Sequence, residues 1–264
     1  MSDTTNVALE ADEMIRLFDS SWVKLEECPP SPQYEKLKGV EGGFLLRHFL
    51  SEGECAQLIA ASEKMEYTPS PLRNLSELNS KRANLSAQTQ LIRFSDRVLC
   101  DAPEPLLELL CHRLLPHLPS TVECKGHVWE AVPTGESPSG GCINRRWRFN
   151  RYSKGGYFRP HRDAGFVYSS TCETLMTFIV YLSEGFEGGE TTFFLGLEGQ
   201  SLSVRPERGM AIVFFQTGRH SPVHEGSELR SEEPFKYILR SDLAYRVLDA
   251  PEQLNRPERA CQIS

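Results

Sequence analysis

The spacing of apolar and polar residues changes near residue 144. Beyond it, short apolar or alternating stretches recur at fairly even intervals: W-R-F-N-R-Y, G-Y-F-R-P-H, L-M-T-F-I-V-Y-L, T-T-F-F, L-S-V, M-A-I-V-F-F and K-Y-I-L-R-S-D. Gly or Pro separates most of them, and such a series predicts a β-sandwich or jelly roll. Upstream, Leu9, Met14, Leu17 and Phe18 fall at loosely helical spacing and predict a short amphipathic helix over residues 8–19. Ser51-Glu52-Gly53-Glu54 has the capping-box pattern and opens a helix carrying Cys55, Leu58, Ile59 and Met65. A third helix, over 103–115, is strongly apolar through Leu106, Leu107, Leu109, Leu110 and Leu114 and should back a sheet. Gly42 to Leu46 reads as a buried strand, and Cys28 to Pro32 as an extended linker. The Ser-, Asn- and Pro-rich residues 68–90 read as a long, lid-like surface loop, and Pro133 to Gly141 as a second insertion. The expected fold is α+β, a double-stranded β-helix (jelly-roll) core in the C-terminal half flanked by N-terminal helices. Its expected divisions are an extension and linker (1–38), a support region (39–143), the jelly-roll core (144–246) and a tail (247–264).

Composition narrows the function classes. A chain of 264 residues, 39% hydrophobic and 25% charged, suits one soluble domain with extensions. A net charge of −7 argues against a general nucleic-acid-coating role. No run of about 18 apolar residues is present, so no transmembrane helix and no membrane partner are expected. The start, M-S-D-T-T-N-V-A-L-E, lacks the basic and apolar regions of a secretory signal, which places the expected location in the cytoplasm or nucleus. The eight cysteines include no C-x-x-C pair and are expected to be reduced thiols.

The candidate chemistry lies in R-F-N-R-Y-S-K-G-G-Y-F-R-P-H-R-D, Arg148 to Asp163. Residues two apart on a strand point to one side, so His161 and Asp163 can share a ligand-binding face. An imidazole and a carboxylate held this way are two of the three protein ligands of a non-haem Fe(II) facial triad. H-x-D alone is a weak signal; two later histidines, His220 and His224, can supply the third ligand. His224 is preferred because it opens H-E-G before the last strand, whereas His220 follows Gly218-Arg219 at what reads as a solvated loop tip. Arg148 and Asn150 share strand parity with Tyr152 and should face the same cavity. An inward Arg148 must meet an anion or carbonyls, from a substrate or from an internal acid. Thr177 and Tyr181, four apart on a neighbouring strand, either complete the pocket or pack across strands. The cluster Arg145, Arg146, Arg148 and Arg151 lacks the interleaved aromatics of a nucleic-acid surface.

These motifs, taken in order, resemble the prolyl 4-hydroxylase type of Fe(II)/2-oxoglutarate dioxygenase. They are R-Y-x-x-G-G-Y-F-x-P-H-R-D, Y-L-x-x-x-F-x-G-G-E-T-x-F from Tyr181 to Phe193, P-x-x-G-M-A-I-V-F at 206–214, H-E-G, and K-Y-I-L-R-S-D-x-x-Y at 236–245. Residues 1–143 match only in general layout. The resemblance implies Fe(II) held by His161, Asp163 and His224, and O2 and 2-oxoglutarate as co-substrates, with ascorbate bound as reductant. It implies Lys236 as anchor of the far carboxylate of 2-oxoglutarate, with Arg240 as the alternative, and Tyr152 as a hydrogen-bond partner of the co-substrate. The segment between Gly226 and Lys236 is about two residues longer than is usual in the family. The implied reaction hydroxylates an unactivated C–H while 2-oxoglutarate becomes succinate and CO2. Asp163, where related halogenases carry a small residue, favours hydroxylation. Substrate readings are a prolyl residue in a peptide or protein, and alternatively a free amino acid or other small metabolite, with Arg148 orienting it. From another class, a non-catalytic metal-binding jelly roll would bind metal without 2-oxoglutarate.

Overall fold

In a computed structural model, residues 15–26, 31–70, 72–73, 91–136, 140–196, 199–216 and 218–248 are described. The amino-terminal half supplies β1 (Ile15–Leu17), β2 (Gln33–Lys36), β3 (Phe44–Arg47), β4 (Thr68–Pro69), β5 (Leu72–Arg73), β6 (Leu91–Phe94), β7 (Asp96–Asp101), β8 (Thr121–Cys124) and β9 (His127–Ala131). It also carries the helices α1 (Glu52–Lys64) and α2 (Glu104–Leu114). The carboxy-terminal half supplies β10 (Arg146–Tyr152), β11 (Tyr157–His161), β12 (Val167–Ser169), β13 (Cys172–Tyr181), β14 (Thr191–Phe194), β15 (Ser201–Val204), β16 (Ala211–Phe215), β17 (Val223–Gly226) and β18 (Lys236–Val247).

Two sheets form. The larger runs β1-β7-β10-β18-β13-β16-β3-β2, and the smaller β15-β14-β17-β11-β6-β5. Strands from the support half thus extend both sheets of the jelly roll, as the pairings β7 with β10 and β6 with β11 show. Strand parity separates two environments. Trp147 and Phe149 of β10, Phe178 and Val180 of β13, and Leu239 of β18 pack in one core with Leu58 of α1 and Leu106, Leu107 and Leu110 of α2. The alternate residues of the same strands turn to a cavity between the sheets. All ten residues of β13 are buried, which is why its sequence reads as an almost unbroken apolar run rather than an alternation.

Local chemistry sets the helices. The Ser51 side chain accepts from Glu54 N–H, and the Glu54 carboxylate accepts from Ser51 N–H, the reciprocal cap its sequence predicts. Glu54, fully buried, also receives Arg113 of α2 at 2.7 Å, tying the two helices together. Burial alone would raise its carboxyl pKa, but the hydrogen bonds from Arg113, Ser51 and Glu26 hold it below the ordinary value. Its stabilisation is therefore present above the unfolded carboxyl pKa of about 4.3 and is lost as pH falls through the folded value. Glu54→Ala removes the carboxylate half of the cap and leaves buried Arg113 without its acid, with only the Glu26 carbonyl to receive it. An expected loss of about 3–5 kcal/mol should appear as a lowered urea midpoint.

The helix expected over 8–19 is not found where the chain is described. Ile15–Leu17 is an edge strand parallel to β7, followed by a 3-10 turn at Ser20–Trp22. Pairing with an open sheet edge outweighs a weak helical period, and Phe18 still reaches the core beside Trp147 and Phe149. Residues 8–14, Cys28–Pro30 of the linker and 74–90 of the lid-like loop lie outside the described residues. The insertion from Pro133 begins as a tight turn in which Glu136 N–H donates to Pro133 O at 3.2 Å, and its residues 137–139 lie outside the described residues. The six described cysteines are free thiols. No described helix is long and apolar enough to cross a membrane.

Candidate functional site

β11 and β17 are antiparallel neighbours in the smaller sheet, and their register sets His161 directly opposite His224. The two ring centres are 4.4 Å apart. Pro160 has no N–H to give, and the ladder shifts register between Phe158 and His161. The strand ends at His161, so Asp163 enters from the following segment rather than from the strand itself. It nevertheless lies 3.4 Å from His161 Nε2 and 3.6 Å from His224 Nε2. One ligand atom from each of the three residues lies within 4.8 Å of the others.

Hydrogen bonds orient every member of this group. His161 Nδ1 is 2.8 Å from Arg159 O, and His224 Nδ1 is 3.3 Å from Pro222 O. A carbonyl only accepts, so each Nδ1 carries the hydrogen and each Nε2 lone pair is left for the shared centre. Burial, partly offset by Asp163, lowers His224 to about 4, which keeps its imidazole neutral at pH 7. Burial would raise the Asp163 carboxyl. The Arg240 guanidinium above all, with His224 and His161, holds it well below the usual carboxylate range. Arg240 Nη2 sits 2.9 Å from Asp163 Oδ1, and the Thr177 hydroxyl donates to Oδ2 at 2.7 Å. Two imidazoles with Nε2 turned to a shared centre and one ionised carboxylate, convergent in one place, fit a divalent transition metal such as Fe(II). Thr177→Val keeps the shape but deletes this donor. A drop in Fe(II) affinity of about tenfold to a hundredfold is expected, measured by metal titration.

His220 is set apart from this group. It closes a 3-10 turn, half-buried, with Nδ1 2.6 Å from Glu41 Oε2. That is a paired histidine rather than a solvated loop tip.

A cavity lies between the sheets, lined from β10, β13, β17 and β18 among other elements. Lys236 lies opposite Tyr152 in the β10–β18 register, is 4% exposed, and donates to Gly189 O at 2.7 Å. Its Nζ stands 5.1 Å from the Tyr152 ring centre and 5.9 Å from that of Tyr181. Among the described residues it has no carboxylate at ion-pair distance, and burial lowers its pKa to about 8. A buried ammonium in this setting could take a ligand carboxylate as its partner. The carbonyl it does use depends on the Gly188-Gly189 turn. Both glycines have positive φ, and a Cβ on Gly188 would lie 2.1 Å from Glu228 O. The longer segment before Lys236 is absorbed by a loop pinned at fully buried Leu229, which exchanges backbone hydrogen bonds with Gly155 and Gly156.

Arg148, Asn150, Tyr152, Lys236 and Arg240 all line this cavity, as strand parity predicts. Arg240 pairs with Asp163, and Arg148 Nη1 lies 2.9 Å from Asp242 Oδ2. The internal acid sought for Arg148 is thus Asp242, within K-Y-I-L-R-S-D itself. Tyr181 completes the wall and hydrogen-bonds Thr191 at 2.6 Å, while Thr177 serves Asp163. Arg93 and Arg97, which also line the cavity, escaped the sequence reading. For Arg97 a weak signal existed: D-R-V-L-C-D read as a strand sets Val98 and Cys100 on one face and Arg97 with Leu99 on the other.

Residues 147–240 match the family model described as the 2OG-Fe(II) oxygenase superfamily. Among solved structures, the chain is similar to a prolyl-4-hydroxylase from Pseudomonas putida (18% identity, 76% of this chain and 91% of that one, TM-score 0.47). It is also similar to an oxidoreductase of the 2OG-Fe(II) oxygenase family from Burkholderia pseudomallei (17%, 78% and 85%, 0.48). A third is the viral collagen prolyl hydroxylase of Paramecium Bursaria Chlorella virus-1 (20%, 81% and 96%, 0.46). No curated protein sequence matches the chain. Residues 147–240, the stretch that carries His161, Asp163, His224 and Lys236, are thus similar to the 2OG-Fe(II) oxygenase superfamily.

Proposed function

We propose that the protein hydroxylates an unactivated C–H bond, with His161, Asp163 and His224 as the metal ligands and Lys236 as the anchor of 2-oxoglutarate. The observation that carries this reading is the placement of two Nε2 lone pairs and one ionised carboxylate in one cavity with a buried lysine that has no carboxylate at ion-pair distance among the described residues. Bound iron would supply O2 activation coupled to decarboxylation of 2-oxoglutarate. The chain's own residues do the rest. Thr177 and Arg240 hold Asp163 in place. Lys236 and Tyr152 fix one end of the co-substrate, and the apolar walls at Ile179 and Ile238 exclude water.

The motif resemblance supports a prolyl residue of a peptide or protein as substrate. The arginine-lined floor of the cavity supports the second reading, a free amino acid or other small acid. The test is succinate release from labelled 2-oxoglutarate by the full chain with Fe(II) and ascorbate, beside 2-oxoglutarate binding measured with Mn(II). Binding together with slow uncoupled turnover supports the proposal. Metal binding without affinity for 2-oxoglutarate would replace it with a non-catalytic jelly roll.

A further inference from the structure

Beyond the triad and Lys236, the cavity floor contains polar groups that neither metal nor 2-oxoglutarate anchoring uses. Asn150 is 5% exposed, and its Oδ1 has no hydrogen-bond partner among the described residues. Its amide lines the cavity between two cross-strand pairs, Tyr152–Lys236 on one side and Arg148–Arg240 on the other. Leaving such a group unpaired in a buried site is costly, and a ligand that pairs with it recovers the cost. Arg148 gives one Nη1 hydrogen to Asp242 at 2.9 Å, and this is its one side-chain bond among the described residues; the rest of the fork borders the cavity. Arg97 stands directly opposite Asn150 on β7, on the same face, so three guanidiniums border this part of the floor.

We infer that Arg148 and Asn150 form a substrate subsite for a small carboxylic acid that carries a hydrogen-bond donor beside its carboxylate, a free α-amino acid being the simplest such molecule. The inference rests on the proposed hydroxylase reading and specifies its substrate class. The planar fork of Arg148 matches a carboxylate in geometry, and the Asn150 carbonyl accepts from an ammonium or imino group. The subsite lies along β10 and β18 from the Lys236 end, about 7 Å per pair of residues, so co-substrate and substrate acids take separate cations in one cavity.

The test is thermal unfolding of the full chain with Mn(II) and 2-oxoglutarate, titrated with free L-amino acids, their carboxamides, glycerol phosphate and a proline-rich peptide with blocked ends. At least one free acid should raise Tm by several degrees saturably, while its carboxamide does not. Arg148→Gln and Asn150→Leu should each raise the half-saturating concentration tenfold or more, with Arg148→Lys recovering part of it. Because Arg148→Gln leaves Asp242 without its partner, Asn150→Leu carries the test should the arginine variant not fold. A carboxamide that binds as well as its acid would overturn the inference. So would response to glycerol phosphate alone, preference for the blocked peptide, response to none of these compounds, or unchanged affinity in both variants. Loss of the response to Mn(II) and 2-oxoglutarate themselves in wild type is a separate result, which sinks the hydroxylase reading and this inference with it.

Discussion

His224→Ala is expected to lower Fe(II) affinity and 2-oxoglutarate-dependent succinate release by more than about a hundredfold, whereas His220→Ala leaves both near wild type. Outer-shell partners of a metal ligand are typically worth about tenfold to a hundredfold, and removing the ligand itself should exceed that. The two histidines are four residues apart, so local sequence offers little to separate them. In the fold they diverge. His224 is opposite His161 in the strand register, packed by Phe214 at 4.7 Å and Phe193 at 5.8 Å. His220 is held by Glu41 beyond the turn. Metal titration of the two variants decides between them, and equal losses would mean that His224 is not the third ligand.

Lys236→Met should act in opposite directions on binding and on stability. Losing the cation removes a buried charge-assisted contact worth about 2–5 kcal/mol, so the Kd for 2-oxoglutarate should rise thirtyfold or more. The ligand-free protein should instead gain about 1–3 kcal/mol, because a buried ammonium with no carboxylate at ion-pair distance among the described residues is replaced by an apolar chain of similar shape. The wild-type pH dependence has a definite sign. Burial lowers the Lys236 pKa to about 8, while its unfolded value is near 10.4. Between these values the unfolded chain binds the extra proton, so wild-type stability rises with pH across that window. Affinity for the dicarboxylate falls over the same window as the ammonium is lost. Lys236→Met should flatten both dependences, measured by urea unfolding and by titration with 2-oxoglutarate at pH 7 and pH 9.5. An unchanged Kd would show that another cation anchors the co-substrate, with Arg240 the first to try.

These variants also separate the effects of neighbouring charges. Arg240 is already committed to Asp163, and Arg148 to Asp242. Truncating either arginine leaves a buried carboxylate exposed to its own desolvation, so a loss of activity there would mix folding with chemistry. Lys236 has no such partner among the described residues, which makes its substitution the cleaner probe of co-substrate binding.

What the sequence determined by itself was local, periodic or strongly patterned. The capping box at Ser51 and Glu54 is complete within four residues, and the apolar run of β13 announces a strand covered on both sides. Period-2 alternation placed Arg148, Asn150 and Tyr152 on one face, because a strand admits no other geometry. H-x-D and H-E-G, framed by ordered motifs, were enough to name the three residues that converge. The tertiary structure decided what depends on register between distant strands. It set His161 opposite His224, brought Arg240 to Asp163, gave Arg148 its acid in Asp242, and added Arg93 and Arg97 to the cavity. It also turned residues 15–17 from an expected helix into an edge strand, since a weak helical period cannot compete with an open row of hydrogen-bonding groups on β7. Neighbouring residues set periodicity, whereas partner choice comes from the whole sheet, so only the folded chain shows which charge meets which.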